Sequence, residues 1–372
     1  MKRLFVQAIL LLMPLMLLSD ANEAQDAVDA LLGTVDLSEW DAWFAAEAPE
    51  IPFRPSEFVR SIANAEDPFD SDSLKDRAKK MLFPSVGSAA AKLILFVGLG
   101  VFGSVLNGVR LSESTSEAAQ TAFRIATACI ALAAVFTEIS VVYRMLARTA
   151  ALSERVLPVI LGFLILGGME HTAGALTPAF ALLSNGVIRL LKTVVIPLGC
   201  IGGVLTVTDA CATGRLASLG KLFLRAAKWM LAGICSVYVL LSTIRGAAAA
   251  SADGLMIRTA KLAAGSLPAV GGVVSDSVET AYQCLIFVKN ALGIGCAALI
   301  LLVFAKPVID VFLTRSALRA SSAITEPLAG KPYADGLRGL GDTLHLFMLA
   351  EFATVAMALT ALAPVFAIGR AL

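Results

Sequence analysis

From residue 89 onward the chain is a succession of apolar segments, at about 89–109, 122–143, 156–188, 194–210, 226–244, 284–305 and 344–368. Most match the roughly 20 residues that a helix needs to cross the hydrocarbon core of a bilayer. No water is present there to bond exposed backbone, so each segment must satisfy its own N–H and C=O groups, as a helix does. The expected fold is all-α, a polytopic membrane bundle of about seven or eight transmembrane helices. Glycine and proline break some of them. The third segment is longer than one crossing and is interrupted by Glu170-His171, so it is either two short crossings or one bent helix. Composition supports the same class. Only 16% of the 372 residues are charged, against about 25% in soluble domains.

The start of the chain reads differently. Lys2 and Arg3 precede an apolar run from Leu4 to Leu18, followed by small residues two apart in Ser19-Asp20-Ala21. That order is the pattern of a secretory signal peptide over 1–21, and the run is short for a bilayer span. Cleavage after Ala21 and an uncleaved anchor both remain open. Either places the next segment outside the cytoplasm. Residues 22–88 carry fourteen acids against six bases. Within them, Leu31, Leu32, Val35, Trp40 and Phe44 can share one side of a helix, and the prolines of "APEIPFRPSEF" interrupt it. Short helices are expected in this acidic extracytoplasmic segment, docked on a partner or lying near the membrane surface. Residues 89–372 form the multi-pass domain.

Orientation is only partly fixed. Arg215, Lys221, Arg225 and Lys228 make one basic connection, and Lys306, Arg315, Arg319, Lys331 and Arg338 lie in another. The positive-inside tendency puts both in the cytoplasm. Counting 156–188 as two crossings reconciles this with an exported N-terminus. The connection holding Arg144, Arg148 and Arg155 then falls outside, against the tendency.

Several chemistries lack their parts. Gly98 to Gly103 spells GxGxxG, but it sits inside an apolar span rather than between a strand and a helix. Small residues there let helices approach closely. Gly214 to Lys221 resembles a phosphate loop with one residue too many, and Leu222 stands where a magnesium-binding hydroxyl belongs. Nucleotide binding is therefore not expected, and ATP-driven work would come from a partner. The chain has two histidines, His171 and His345, and no HExxH or nucleophile elbow. Its six cysteines form no CxxC pair and read as small packing residues. No cofactor and no metal are expected. A net charge of +1 gives no bulk field for nucleic acid.

Glu138, Glu170, Asp209 and Glu351 fall in or beside apolar spans. Charges in hydrocarbon are costly, so they should face the bundle interior, a partner or water. They belong to an ion or substrate path, or they are interfacial or paired with a nearby arginine. Glu170-His171 draws notice because histidine titrates near neutral pH. A faint echo links "IPLGCIGGVLTVTDA" (196–210), "LPAVGGVVSDS" (267–277) and "VLPVILGFLILGGME" (156–170), each with proline, a glycine pair and an acid. Transporters place broken helices at matching points of their halves; chance similarity of small apolar segments is the other reading.

The stretch "LPAVGGVVSDSVETAYQCLIFVKNALG" (267–293), with Pro-x-x-Gly-Gly, Ser-Asp and Lys-Asn-x-x-Gly, resembles the signature of the stage III sporulation protein AE family of endospore-forming bacteria. "LLGTVDLSEWD" (31–41) and "ALRASSAITEPLAG" (317–330) are similar to other parts of that family. The resemblance covers nearly the whole chain. It implies a multi-pass protein of the mother-cell membrane around the forespore. Such a protein belongs to a secretion-like channel complex with a cytoplasmic ATPase, ring-forming proteins and a forespore-membrane partner.

The expected function is thus a non-enzymatic, permease-like or scaffolding subunit of that channel, embedded in membrane lipid. Pro268, Gly271, Gly272, Asp276, Glu279, Lys289 and Asn290 are the expected functional patch. Its glycines permit close backbone approach, and Asp276 and Glu279 line a polar path or pair with a partner. The alternative is an autonomous ion-coupled transporter using Glu170, His171, Asp209 and Asp276.

Overall fold

A computed structural model of the protein describes residues 38–47, 54–63, 71–108, 113–166, 169–211, 216–265, 271–363 and 365. The expected signal peptide and residues 22–37 lie outside these. All the regular elements described are helices. They are α1 (Ser38–Glu47), α2 (Pro55–Ala63), α3 (Ser71–Gly108), α4 (Glu113–Leu166), α5 (Glu170–Ala181), α6 (Ile188–Leu190), α7 (Ile196–Cys211), α8 (Ala217–Gly265), α9 (Gly271–Ala329) and α10 (Lys331–Ala361). Two π-helical segments, Leu182–Val187 and Leu191–Val195, join α5, α6 and α7 into one run.

Among the described residues, six helices are long and apolar enough to cross a membrane. The sequence led us to expect about seven or eight. The difference lies at two places read as connections: Arg144–Arg155, where α4 continues without a break, and 189–193, where helix runs on from α5 into α7. Val142, Met145, Leu146, Thr149, Leu152 and Ser153 are buried. These positions keep the helical period through the charged stretch, so nothing ends the helix there. At 54 and 59 residues, α4 and α9 are about 80–90 Å long, well beyond the thickness of a bilayer.

The central helix is α10, 61% of whose span is buried against 22% for the spans in α3 and α8. It packs on α9, α7, α4 and α8, and α9 also lies along α3. The outer helices expose large apolar side chains such as Ile94, Trp229 and Ile244, as a lipid-facing surface requires.

Close approaches use small residues, as expected between membrane helices. A Cβ on Gly220 of α8 would lie 2.9 Å from the Gly202 carbonyl oxygen and 3.1 Å from the Thr206 amide nitrogen of α7. In the GxGxxG string, Gly100 packs on Thr325 and Gly103 on Phe123. Several buried hydroxyls are satisfied within their own helices. Thr149, Ser153, Ser321, Thr325 and Thr354 each donate to the carbonyl four residues back.

A tight hairpin joins α9 to α10. Gly330 supplies φ 88°, a conformation that suits glycine, and Pro332 stands in the first turn of α10. Across the turn Arg338 pairs with Glu326, and Arg319 with Asp342 at 2.8 Å. The string "ALRASSAITEPLAG" is therefore the last turns of α9 and this hairpin.

The first two helices dock on the chain's own bundle. Trp40, Phe44 and Phe58 are buried in the common core, and the Trp40 indole N–H donates to the Arg155 carbonyl at 3.0 Å. The Asp41 carboxylate caps α2, accepting from the Ser56 N–H at 3.0 Å and from its hydroxyl at 2.5 Å. The aromatic side of α1 and α2 thus has its partner within the same chain.

Candidate functional site

The stretch singled out in the sequence opens α9. Pro268 lies outside the described residues, between the end of α8 and Gly271. Helix α9 begins at the paired glycines, Gly271 and Gly272. It continues unbroken past Asp276, Glu279, Lys289 and Asn290 into the apolar span Gly293–Ala329. The side chains of 271–289 are not among those described. Asn290 is half-buried, and its Oδ1 is buried with no hydrogen-bond partner among the described residues.

Glu170 and His171 begin α5, with exposed side chains. The chain interrupts its helix just before them, and their backbone is held from elsewhere. Asp253 of α8 is fully buried. Its two carboxylate oxygens accept the N–H groups of His171 at 3.1 Å and Thr172 at 2.7 Å. A helix start leaves such donors without intrahelical partners and favours negative charge. Asp253 is therefore a cap delivered from another helix. Replacing it with alanine should destabilise the protein by about 2 kcal/mol, read as a lower melting temperature in detergent. An unchanged melting temperature would remove this cap from the account.

Asp209 lies at the far end of the same helical run. Its Oδ1 accepts the Leu216 N–H at 2.6 Å and so organises the connection to α8. About 40 residues of helix separate it from Glu170, on the order of 60 Å. Glu170-His171 and Asp209 therefore do not converge on one site. The three similar strings also take different roles: one ends α4, one lies within α7 on its neighbours, and one opens α9.

Between Glu170 and Asp209 the π segments create an irregular middle. In the second segment the Ile196 N–H reaches back five residues to the Leu191 carbonyl. The next amide in line belongs to Pro197, which has no N–H. The Lys192 carbonyl thus lacks both of its helical donors, and the Tyr143 hydroxyl supplies one at 2.8 Å. The Tyr238 hydroxyl donates similarly to the Ala179 carbonyl at 3.3 Å. A sequence signal for this existed. Leu183, Val187, Leu191, Val195, Gly199 and Gly203 are all buried, a strict four-residue repeat. A uniform α-helix would rotate such a repeat by about 40° per step, and the wider π turns absorb that drift.

The most concentrated polar chemistry lies deeper, where α3, α4, α9 and α10 meet. Lys92 of α3 pairs with Glu138 Oε1 of α4. Lys92 also donates to the Thr314 hydroxyl of α9 at 2.8 Å, and that hydroxyl donates to the same Glu138 oxygen at 3.1 Å. One helical turn before Thr314, Lys306 and Asp310 form an i,i+4 pair at 3.1 Å. Glu351 of α10 completes the group and is fully buried. The sequence marked Glu138 and Glu351 as acids that should face the bundle interior, a partner or water, and the structure buries both. The lysine that neutralises the first was not foreseen.

A small cavity beside Arg124, Thr127 and Tyr333, about 30 Å³, has room for about one water molecule. No group of three or more potential metal ligands occurs among the described residues.

Comparison with known proteins fits this architecture. The family model described as stage III sporulation protein AE matches residues 53–369. A curated protein named stage III sporulation protein AE, from Bacillus subtilis (strain 168), is 26% identical over 203 residues, covering 54% of this chain and 51% of that protein. The match thus spans about half the length of the curated relative. No solved structure matches the chain. With a family match over most of its length and six apolar helices, the chain belongs to the stage III sporulation protein AE family and is a multi-pass membrane protein with a role in sporulation.

Proposed function

We propose that this protein is a non-enzymatic membrane subunit of a secretion-like channel complex joining mother cell and forespore. It would sit in the mother-cell membrane with its N-terminal segment on the extracytoplasmic side. There it acts as a permease-like or scaffolding core. The family match over 53–369 carries this reading. Helices much longer than a bilayer agree with it, because they extend packing surface beyond the lipid to meet other subunits. The partners are a cytoplasmic ATPase, ring-forming proteins and a forespore-membrane protein. The expected patch at the start of α9, with Asp276 and Glu279, precedes the apolar span and is the segment through which we expect partners to be engaged.

An autonomous transporter built on Glu170, His171, Asp209 and Asp276 has less support, because Glu170 and Asp209 lie at opposite ends of one helical run. The test is deletion of the gene in its spore-forming host, followed by microscopy through engulfment. Arrest after engulfment, with small forespores and failed late forespore expression, is the expected result. Normal spores would overturn the proposal. The double variant Asp276→Asn/Glu279→Gln should reproduce the arrest at normal protein level, and full sporulation by that variant would take the α9 patch out of the mechanism.

A further inference from the structure

We propose that Glu351 and Glu138 form a binding site for one monovalent cation, a proton or a sodium ion, inside the helix bundle. Glu351 is 0% exposed on the most buried helix. Neither of its carboxyl oxygens has a hydrogen-bond partner among the described residues, and Glu138 Oε2 has none either. Three buried carboxylate oxygens are thus left without a partner among the described residues, two on α10 and one on α4, helices that pack together. Buried polar atoms are normally satisfied, and a buried charge without a partner is strongly disfavoured.

A charge count shows what is missing. On α3, Lys92 balances Glu138 of α4. On α9, Lys306 balances Asp310. Among the described residues nothing pairs with Glu351, and the ionisable groups whose charge acts on it are the acids Glu138 and Asp310. On α10 itself, His345 lies about 9 Å further along the helix, among Arg315, Lys228, Arg319 and Asp342. On α7, Asp209 is committed to the Leu216 amide. One positive charge would complete the cluster, which sets the valence of the ligand.

The donor chemistry fits a hard cation. The open atoms are carboxylate oxygens, which take protons or hard metal ions. Thr354, one turn beyond Glu351 on the same face, is fully buried, and its hydroxyl hydrogen is committed to the Ala350 carbonyl. That hydroxyl therefore has no hydrogen left to give to Glu351. The proposal does not depend on membership of a channel complex, since it concerns only groups within one chain.

The test uses the purified full-length protein in detergent and sodium-free buffer. Dicyclohexylcarbodiimide reacts with protonated carboxyl groups in apolar surroundings, and peptide mass spectrometry locates the adduct. Labelling at Glu351 is expected, falling severalfold from mildly acidic to mildly alkaline buffer and lost in Glu351→Gln. Suppression by sodium chloride, relative to choline chloride at equal ionic strength, assigns the site to sodium. Indifference to sodium assigns it to the proton. Thermal unfolding gives a second readout that needs no reagent access. The melting temperature of the unsubstituted protein should rise with the bound cation, and Glu351→Gln should lose that dependence. If Glu351 is unlabelled throughout and both proteins respond identically to pH and sodium, the proposal is overturned.

Discussion

Replacing Lys92 with methionine is expected to destabilise the protein by about 3–5 kcal/mol. Glu138 is only 5% exposed, and without Lys92 its carboxylate retains the Thr314 hydroxyl alone. The cost arises from stranding a buried charge rather than from losing a contact. The double variant Lys92→Met/Glu138→Leu should therefore be far more stable than Lys92→Met, because it removes both charges and leaves apolar side chains of similar size. Thr314 can then turn its hydroxyl to the carbonyl four residues back, as buried hydroxyls elsewhere in the bundle do. Thermal unfolding of the three proteins in one detergent decides the matter. A double variant no more stable than Lys92→Met would mean that the pair is held by something other than mutual neutralisation.

Trp40→Ala should have an effect of similar size, about 3–5 kcal/mol, but confined to one region. Trp40 is 2% exposed, the most completely buried aromatic side chain of α1. Its indole N–H also reaches the backbone of α4. Without it, Trp43, Phe44 and Phe58 are the aromatic side chains left to hold α1 and α2 in the core among the described residues. Local opening is governed by such contacts, so the N-terminal helices should be cleaved by protease long before the membrane helices. Trp40→Phe keeps most of the apolar surface and loses the donor, at a cost of about 1 kcal/mol. Equal protease resistance in Trp40→Ala and the unsubstituted protein would show that α1 is anchored otherwise.

The helical membrane character was legible because lipid imposes it: long apolar segments admit few structures. Helix ends were less legible. The stretch around Arg144, Arg148 and Arg155 carries enough charge to look like a connection. Its buried positions keep the helical period, and burial, not charge, decided the outcome. Glu138 was recognisable as an acid that should avoid lipid, because charge in apolar surroundings is costly, but whether it faced the interior, a partner or water was not. Its partner Lys92 lies 46 residues away, and pairing at that distance leaves no trace in local pattern. Asp253 was missed for the same reason. It sits in the small-residue stretch "AAAASADGLM", and the helix start that it caps is 82 residues earlier. The four-residue repeat from Leu183 to Gly203 could have been read, and it would have indicated the wide turns.

Those wide turns give the run from Glu170 to Cys211 a property that the other described helices lack. Each π turn holds one residue more than an α-turn would. A deletion of one residue there can close the wide turn into an ordinary one while both flanking helices keep their contacts. The same deletion in α4 would rotate everything beyond it by about 100° and turn Glu138, Tyr143 or the Trp40 contact away from its partner. The segment between Leu182 and Val195 is in effect slack in the chain, the place where this bundle can change its length without changing its register.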